Sequence, residues 1–308
     1  MIIKISSTDE KKVKEFFSKI NLPKKESHKG QNGRVLVIGG SSLFHTASIW
    51  AAEVASYFAD IVHYSSTKEN AKIFLAIKKK FMAGIVVPHQ FLPEYVEEDD
   101  VVLIGPGMLR EKIQKNKQID LNFNQILKIK NEAKFSRHLT AYLFKNFSLK
   151  KFVIDAGALQ MMDKNWLLEL KTTPIVTPHQ IEFKQLFAID LADQSLSAKI
   201  KIVKETAQKY HCVILLKAIS DIVSDGQTVY LIEGGNQGLS KGGTGDVLAS
   251  LSASFFIKNP PLIATAAASL LIKKTADELF NSSGYWYNVN CIIESIPKTL
   301  RKIIFNQI

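Results

Sequence analysis

The stretch "NQGLSKGGTGDVLASLSASF" (residues 236–255) sets Gly242, Gly243 and Gly245 within four residues, follows them with Asp246, and then runs apolar without a break. Each glycine gives up more backbone freedom on ordering than any other residue, so three together need a reason. A flexible turn with Asp246 as helix N-cap is one reading, since aspartate can bond the orphan amides. The other is an anion site: a backbone without Cβ atoms lets a bulky anion approach the unpaired amides and positive dipole end of a helix starting near 246. One glycine would serve a cap. Three beside an acid favour the anion site, formed by Gly242, Gly243, Thr244 and Gly245. The pattern is not the Walker loop, which needs Lys and Ser/Thr after the last glycine, and "VIGGSS" (37–42) is not G-x-G-x-x-G.

Upstream of this turn, short β-branched runs alternate with helix-length segments: "RVLVIGG" (34–40), "DIVHYSS" (60–66), "AGIVVP" (83–88), "DVVLIGPG" (100–107), "KFVIDAG" (151–157), "PIVTPH" (174–179) and "CVILLK" (212–217). Runs apolar on both faces suit a mostly parallel sheet covered by helices, which predicts an α/β fold. Several of them end in ligand-suited residues: Gly39 and Gly40, Gly105 and Gly107, Asp155, Thr177 with His179, and Lys217. The carboxyl ends of parallel strands line the ligand crevice of an open sheet, so these residues point to one shared site. "SIWAAEVASYFA" reads as a helix. "LSAKIKIVKETAQKY" places Leu196, Ile200, Val203, Ala207 and Tyr210 at helical spacing. Residues 111–146 read as a long charged helical region without obvious caps. Helices are expected at 246–257, about 262–281 and near 291–305. With no repeat or linker, residues 1–308 are expected to form one domain.

The composition narrows the function. A formal charge of +11 invites a nucleic-acid partner, but only Arg34, Arg110, Arg137 and Arg301 are arginines among 40 basic residues. Lysine's point charge reads phosphates and bases less well than arginine's fork, so a solvated surface is expected and no nucleic acid. Cys212 and Cys291 are too few for a disulfide framework. No apolar run reaches the roughly 18 residues of a membrane span, and the first residues lack a signal peptide's pattern, so a cytoplasmic location without membrane contact is expected.

Asp246 refines the chemistry. A carboxylate beside an anion hole repels phosphate unless a metal intervenes or the acid is aimed at a substrate hydroxyl. As a general base it typically contributes roughly 10²–10⁴-fold, and the combination suggests phosphoryl transfer onto an oxygen.

Taken in order, "HKGQNGRVLVIGGS" (28–41), "IGPGM" (104–108), "VIDAGAL" (153–159), "VTPHQIEF" (176–183), "ILLKAISDIVSDG" (214–226) and "NQGLSKGGTGDVLA" (236–249) resemble the NAD(P)H-hydrate dehydratases of the ribokinase-like superfamily. The resemblance covers about residues 25–285. It implies a ribokinase-like three-layer α/β/α fold with a mostly parallel central sheet, and a lyase that uses ADP or ATP with Mg2+ to restore NADH and NADPH from the S-forms of their hydrates. Asp246 would be the base, and Gly242 to Gly245 would hold the migrating phosphate. Ala47, Gly107, His179 and Asp246 would face the hydrate, and Lys217, Ala218, Ile219, Ser220 and Asp221 with Gly245 the nucleotide; the metal ligands stay unassigned. His28 and Lys29 could order the approach to the first strand and reach phosphates, or simply be solvated.

Three positions depart from the family pattern: Ala218 stands for a usual glycine, Gly157 for the second acid of a DAD motif, and "FHTAS" (44–48) for a glycine-alanine turn. An epimerase domain would need on the order of two hundred further residues, so racemising the R-hydrate is expected to fall to a separate protein. Relatives are often homo-oligomers. The alternatives are a vitamin-alcohol kinase of the same superfamily and a catalytically silent nucleotide or nucleic-acid binder.

Overall fold

A computed structural model describes residues 1–79, 83–112 and 121–305. Its ten strands are β1 (Ile2–Ser6), β2 (Arg34–Ile38), β3 (Ile61–Ser65), β4 (Ile85–Val86), β5 (Val101–Ile104), β6 (Lys151–Ile154), β7 (Ile175–Val176), β8 (Val213–Leu216), β9 (Asp221–Ser224) and β10 (Val229–Glu233). They form one sheet in the order β1-β10-β9-β8-β7-β6-β5-β2-β3-β4. Every pairing is parallel except β8 with β9 and β9 with β10.

Alternation along each strand builds three layers. Val35, Val37, Val101 and Leu103 pack into one apolar cluster with helices Glu10–Phe17, Thr46–Ser56, Thr244–Phe256, Pro261–Ser283 and Val289–Phe305. Leu36, Ile38, Val102 and Ile104 pack into the other, with Leu92–Glu98, Glu132–Asn146, Gln180–Phe187 and Leu196–Lys209. Helices on both faces leave the inner strands no polar side, which is why their runs are apolar throughout. The expected three-layer, mostly parallel architecture is thus the observed one.

Several local expectations shift. The runs at 83–88 and 174–179 shorten to the two-residue β4 and β7, and β1, β9 and β10 enlarge the sheet beyond the seven runs read from sequence. Part of the 111–146 region, residues 113–120, lies outside the described residues. The rest holds a short turn, Phe123–Ile126, closed by an Asn122–Gln125 capping box, and the helix Glu132–Asn146, whose cap Asn131 accepts from Lys134 N. Those two asparagines are the missing caps. In Leu196–Lys209, Ser195 caps the start and Val203 and Ala207 are buried, but Leu196 is exposed.

Candidate active site

The chain steps outward from β2 to β3 and β4, then returns to place β5 on the other side of β2. The switch lies between the carboxyl ends of β2 and β5, where ligands bind in open α/β sheets. Two glycine loops meet there: Gly40 N donates to Pro106 O at 2.7 Å. Gly107 has φ +70°, and a Cβ on it would sit 3.1 Å from Ala47 Cβ and 3.2 Å from Gly40 Cα. Ala47 and Gly107 are therefore direct neighbours.

The glycine turn is not capped as the first reading had it. The helix runs Thr244–Phe256 with Gly243 at the N-cap, φ +99°, so Asp246 sits inside the first turn, where its carboxylate accepts from its own backbone amide and is not the N-cap. The amides of Gly242, Gly243 and Gly245 have no partner among the described residues, and the space in front of Gly242 is open. Thr244 serves the turn instead: its hydroxyl donates to Leu239 O at 2.7 Å and Lys241 O at 2.9 Å. Of the four residues expected to hold an anion, the three glycines present free amides and Thr244 braces them.

Around Asp246 stand two further acids and a lysine. Asp155, buried at the end of β6, accepts from Lys217 Nζ at 2.8 Å and from Thr177 Oγ1 at 2.7 Å. Glu182 Oε2 lies 3.7 Å from the same ammonium, and Oε1 accepts from Gln160 Nε2 at 2.9 Å. Burial, and after it the charge of Asp155, push the Asp246 carboxyl up to about 7 against the pull of Lys217. Burial works against the charge on Lys217, yet Asp155, Glu182 and Asp246 more than offset it and raise its pKa. A carboxyl titrating near neutrality is suited to proton abstraction.

Beside the glycine turn opens a cavity of ≈ 500 Å³ walled by Ala218, Ile219, Asn236, Leu239, Gly245 and Lys273, among others. Its floor is the β8–β9 turn. Asp221, 4% exposed, closes that turn from within: Oδ1 accepts from Ala218 N at 2.8 Å and Oδ2 from Ser269 Oγ at 2.7 Å. Burial raises its pKa, opposed first by Lys273. Lys273 Nζ donates to Ile219 O at 2.9 Å and Gly234 O at 3.4 Å, tying the turn to the end of β10. Ile219 is 94% exposed, and Ser220 does not line the cavity.

A model of the NAD(P)H-hydrate dehydratase family matches residues 35–298. The chain belongs to the NAD(P)H-hydrate dehydratase family. It is 31% identical over 282 residues to the bifunctional NAD(P)H-hydrate repair enzyme Nnr of Methanocaldococcus jannaschii, covering 89% of this chain but only 49% of that protein. It is also 31% identical over 267 residues to the ADP-dependent (S)-NAD(P)H-hydrate dehydratase of Nitrosopumilus maritimus, covering 83% of this chain and 84% of that one. Among solved structures, the ADP/ATP-dependent NAD(P)H-hydrate dehydratase of Bacillus subtilis co-crystallised with ATP/Mg2+ shares the fold, with a TM-score of 0.72 at 20% identity over 96% of this chain and 97% of that one.

Against the family pattern, Gly157 is explained by crowding: a Cβ there would lie 2.1 Å from Met108 O, so this dehydratase-family chain has no room for the usual acid. His179 caps helix Gln180–Phe187, its Nδ1 accepting from Glu182 N at 3.2 Å while Glu182 Oε2 accepts from His179 N at 2.9 Å. The side chain is still 48% exposed, and a bridge to Lys217 places it beside the acid cluster. His28 and Lys29 are exposed and precede β2, on the amino-end side of a strand whose carboxyl end lines the crevice. Among the described residues no group of three or more His, Cys, Asp or Glu is placed to hold a metal. Both Glu182 oxygens and Asp155 Oδ1 already accept from protein donors. No helix among the described residues is long and apolar enough to cross a membrane.

The sequence reading missed Lys273 altogether and gave Glu182 no role. Lys273 lies on a helix with no motif of its own. Glu182 was within reach, as the N3 acid of a capping box three residues after His179.

Proposed function

We propose that the chain dehydrates the S-forms of NADH hydrate and NADPH hydrate, with ADP as donor. In this reading Asp246 takes the proton of the ring hydroxyl as that oxygen accepts the terminal phosphoryl group. The amides of Gly242, Gly243 and Gly245 hold the migrating group, where preorganised donors act on charge as it develops. The phosphorylated oxygen leaves as phosphate, pushed out by the ring nitrogen's lone pair, and loss of a proton from the neighbouring ring carbon restores the dihydropyridine.

The observation that carries the reading is Asp246 with a carboxyl at about 7, one residue past unpaired glycine amides. Ala47, Gly107 and His179 would face the hydrate, and Ala218, Ile219 and Gly245 the nucleotide. Mg2+ would arrive on the nucleotide's phosphates. We take residues 1–308 as one domain working in the cytoplasm.

Purified protein given NADH hydrate, ADP and Mg2+ should regain the absorbance of NADH and release AMP and phosphate. Absence of any regain with either ADP or ATP would refute the reading. Phosphorylation of a vitamin alcohol with no action on the hydrate would establish the kinase alternative.

A further inference from the structure

Lys217 is ringed by acids. Its Nζ lies 2.8 Å from Asp155 Oδ1 and 3.7 Å from Glu182 Oε2, and a Cβ on Gly245 would fall 3.5 Å from it. Asp246, one residue on in the same helical turn, adds its charge. Three carboxylates thus converge from the end of β6, the helix after β7 and the glycine-turn helix, around the place where a polyphosphate would arrive. Uncompensated, such a field would repel the donor. The Lys217 side chain is only 18% exposed and is committed to two of the three acids. A lysine that grips phosphate instead offers its ammonium as a point charge free to meet the ligand.

We propose that Lys217 is the built-in counter-charge of the crevice: its ammonium neutralises Asp155 and Glu182, so that an anionic donor can settle beside Asp246, and it does not itself grip the donor's phosphates. This makes it a positioning residue where the sequence pattern assigns it to nucleotide recognition. The inference rests on the proposed reading of the crevice as a nucleotide-dependent site.

The two roles differ in a double substitution. ADP binding is measured by calorimetry on the wild type, Lys217→Met, Asp155→Asn and the double variant, with thermal unfolding run on each. A counter-charge role predicts that Lys217→Met weakens ADP by about 30-fold, and that adding Asp155→Asn brings affinity back to within about fivefold of wild type. Lys217→Arg keeps the charge and should bind within about tenfold of wild type, a second readout should the Met variant fail to fold. A double variant as weak as Lys217→Met would mean that the ammonium holds phosphate directly, and would overturn the inference. So would unchanged affinity in Lys217→Met, or an Arg variant that binds ADP no better than the Met variant. These readouts need no hydrate turnover: wild type that binds ADP without acting on hydrate refutes the proposed reaction alone, and wild type that binds neither ADP nor ATP refutes both.

Discussion

The ring of Trp50 fills the space that a side chain on Gly243 would need: a Cβ there would lie 2.4 Å from Cζ3. Trp50 is held in turn by a hydrogen bond from Nε1 to Asn290 Oδ1 at 2.8 Å. It stands one helical turn from Ala47. The helix at the β2–β5 switch therefore braces the glycine turn directly, and both halves of the crevice share one support.

Gly243→Ala should accordingly do more than Gly242→Ala. At 243 the new methyl meets the ring and must adopt φ +99°, which predicts a loss of about 1–3 kcal/mol in chemical denaturation and a collapse of nucleotide binding. At 242 the methyl enters open space and φ is ordinary, so folding should change by less than about 0.5 kcal/mol. Only the approach of an anion should suffer there. Equal destabilisation of the two variants would contradict the brace.

The Asp246 carboxyl sets a pH dependence. The base must be ionised, so kcat/KM should rise tenfold per pH unit below about 7 and level off above it. Asp246→Asn should lower turnover by at least roughly 10²-fold. A pH profile flat from 5 to 8 would be the contrary result.

Stability should move the other way. The folded protein keeps on Asp246 a proton that the unfolded chain, at 3.8, has already released, so stability falls as pH rises from about 4 to about 7. Asp246→Asn removes that loss and should make the protein more stable at pH 8, by about 1–3 kcal/mol, and unchanged near pH 3. Urea melts at the two pH values check the sign.

Lys273 and Asp221 are both buried, with Nζ and Oδ2 3.6 Å apart. Lys273→Met leaves the acid without its cation and frees the β8–β9 turn, so a loss of about 3–5 kcal/mol is expected, the cost of breaking one side of a buried pair. Pairing it with Asp221→Asn should return part of that stability. Additive losses in the double variant would show the two side chains to be uncoupled.

The inner strands were legible because a strand covered by helices on both faces must be apolar throughout, and Val101–Ile104 and Val213–Leu216 carry that signature. β9 and β10 were not, since their antiparallel pairing depends on two reversals of the chain, between Leu216 and Asp221 and between Ser224 and Val229. The glycine turn could be read from its entropic cost alone. The contacts among Asp155, Glu182 and Lys217 could not, because they arise from the register that sets His179 against Lys217 across neighbouring strand ends. Nor does spacing say that the Thr244 hydroxyl turns back to Leu239 O, which removes it from the anion-facing group.

The central claim is that the ring hydroxyl of the hydrate accepts a phosphoryl group before it leaves. NADH hydrate carrying heavy oxygen in that hydroxyl, turned over with ADP in ordinary water, tests it most directly by mass spectrometry of the released phosphate. The account predicts one labelled oxygen in each phosphate. Label found in water, with unlabelled phosphate, would contradict it.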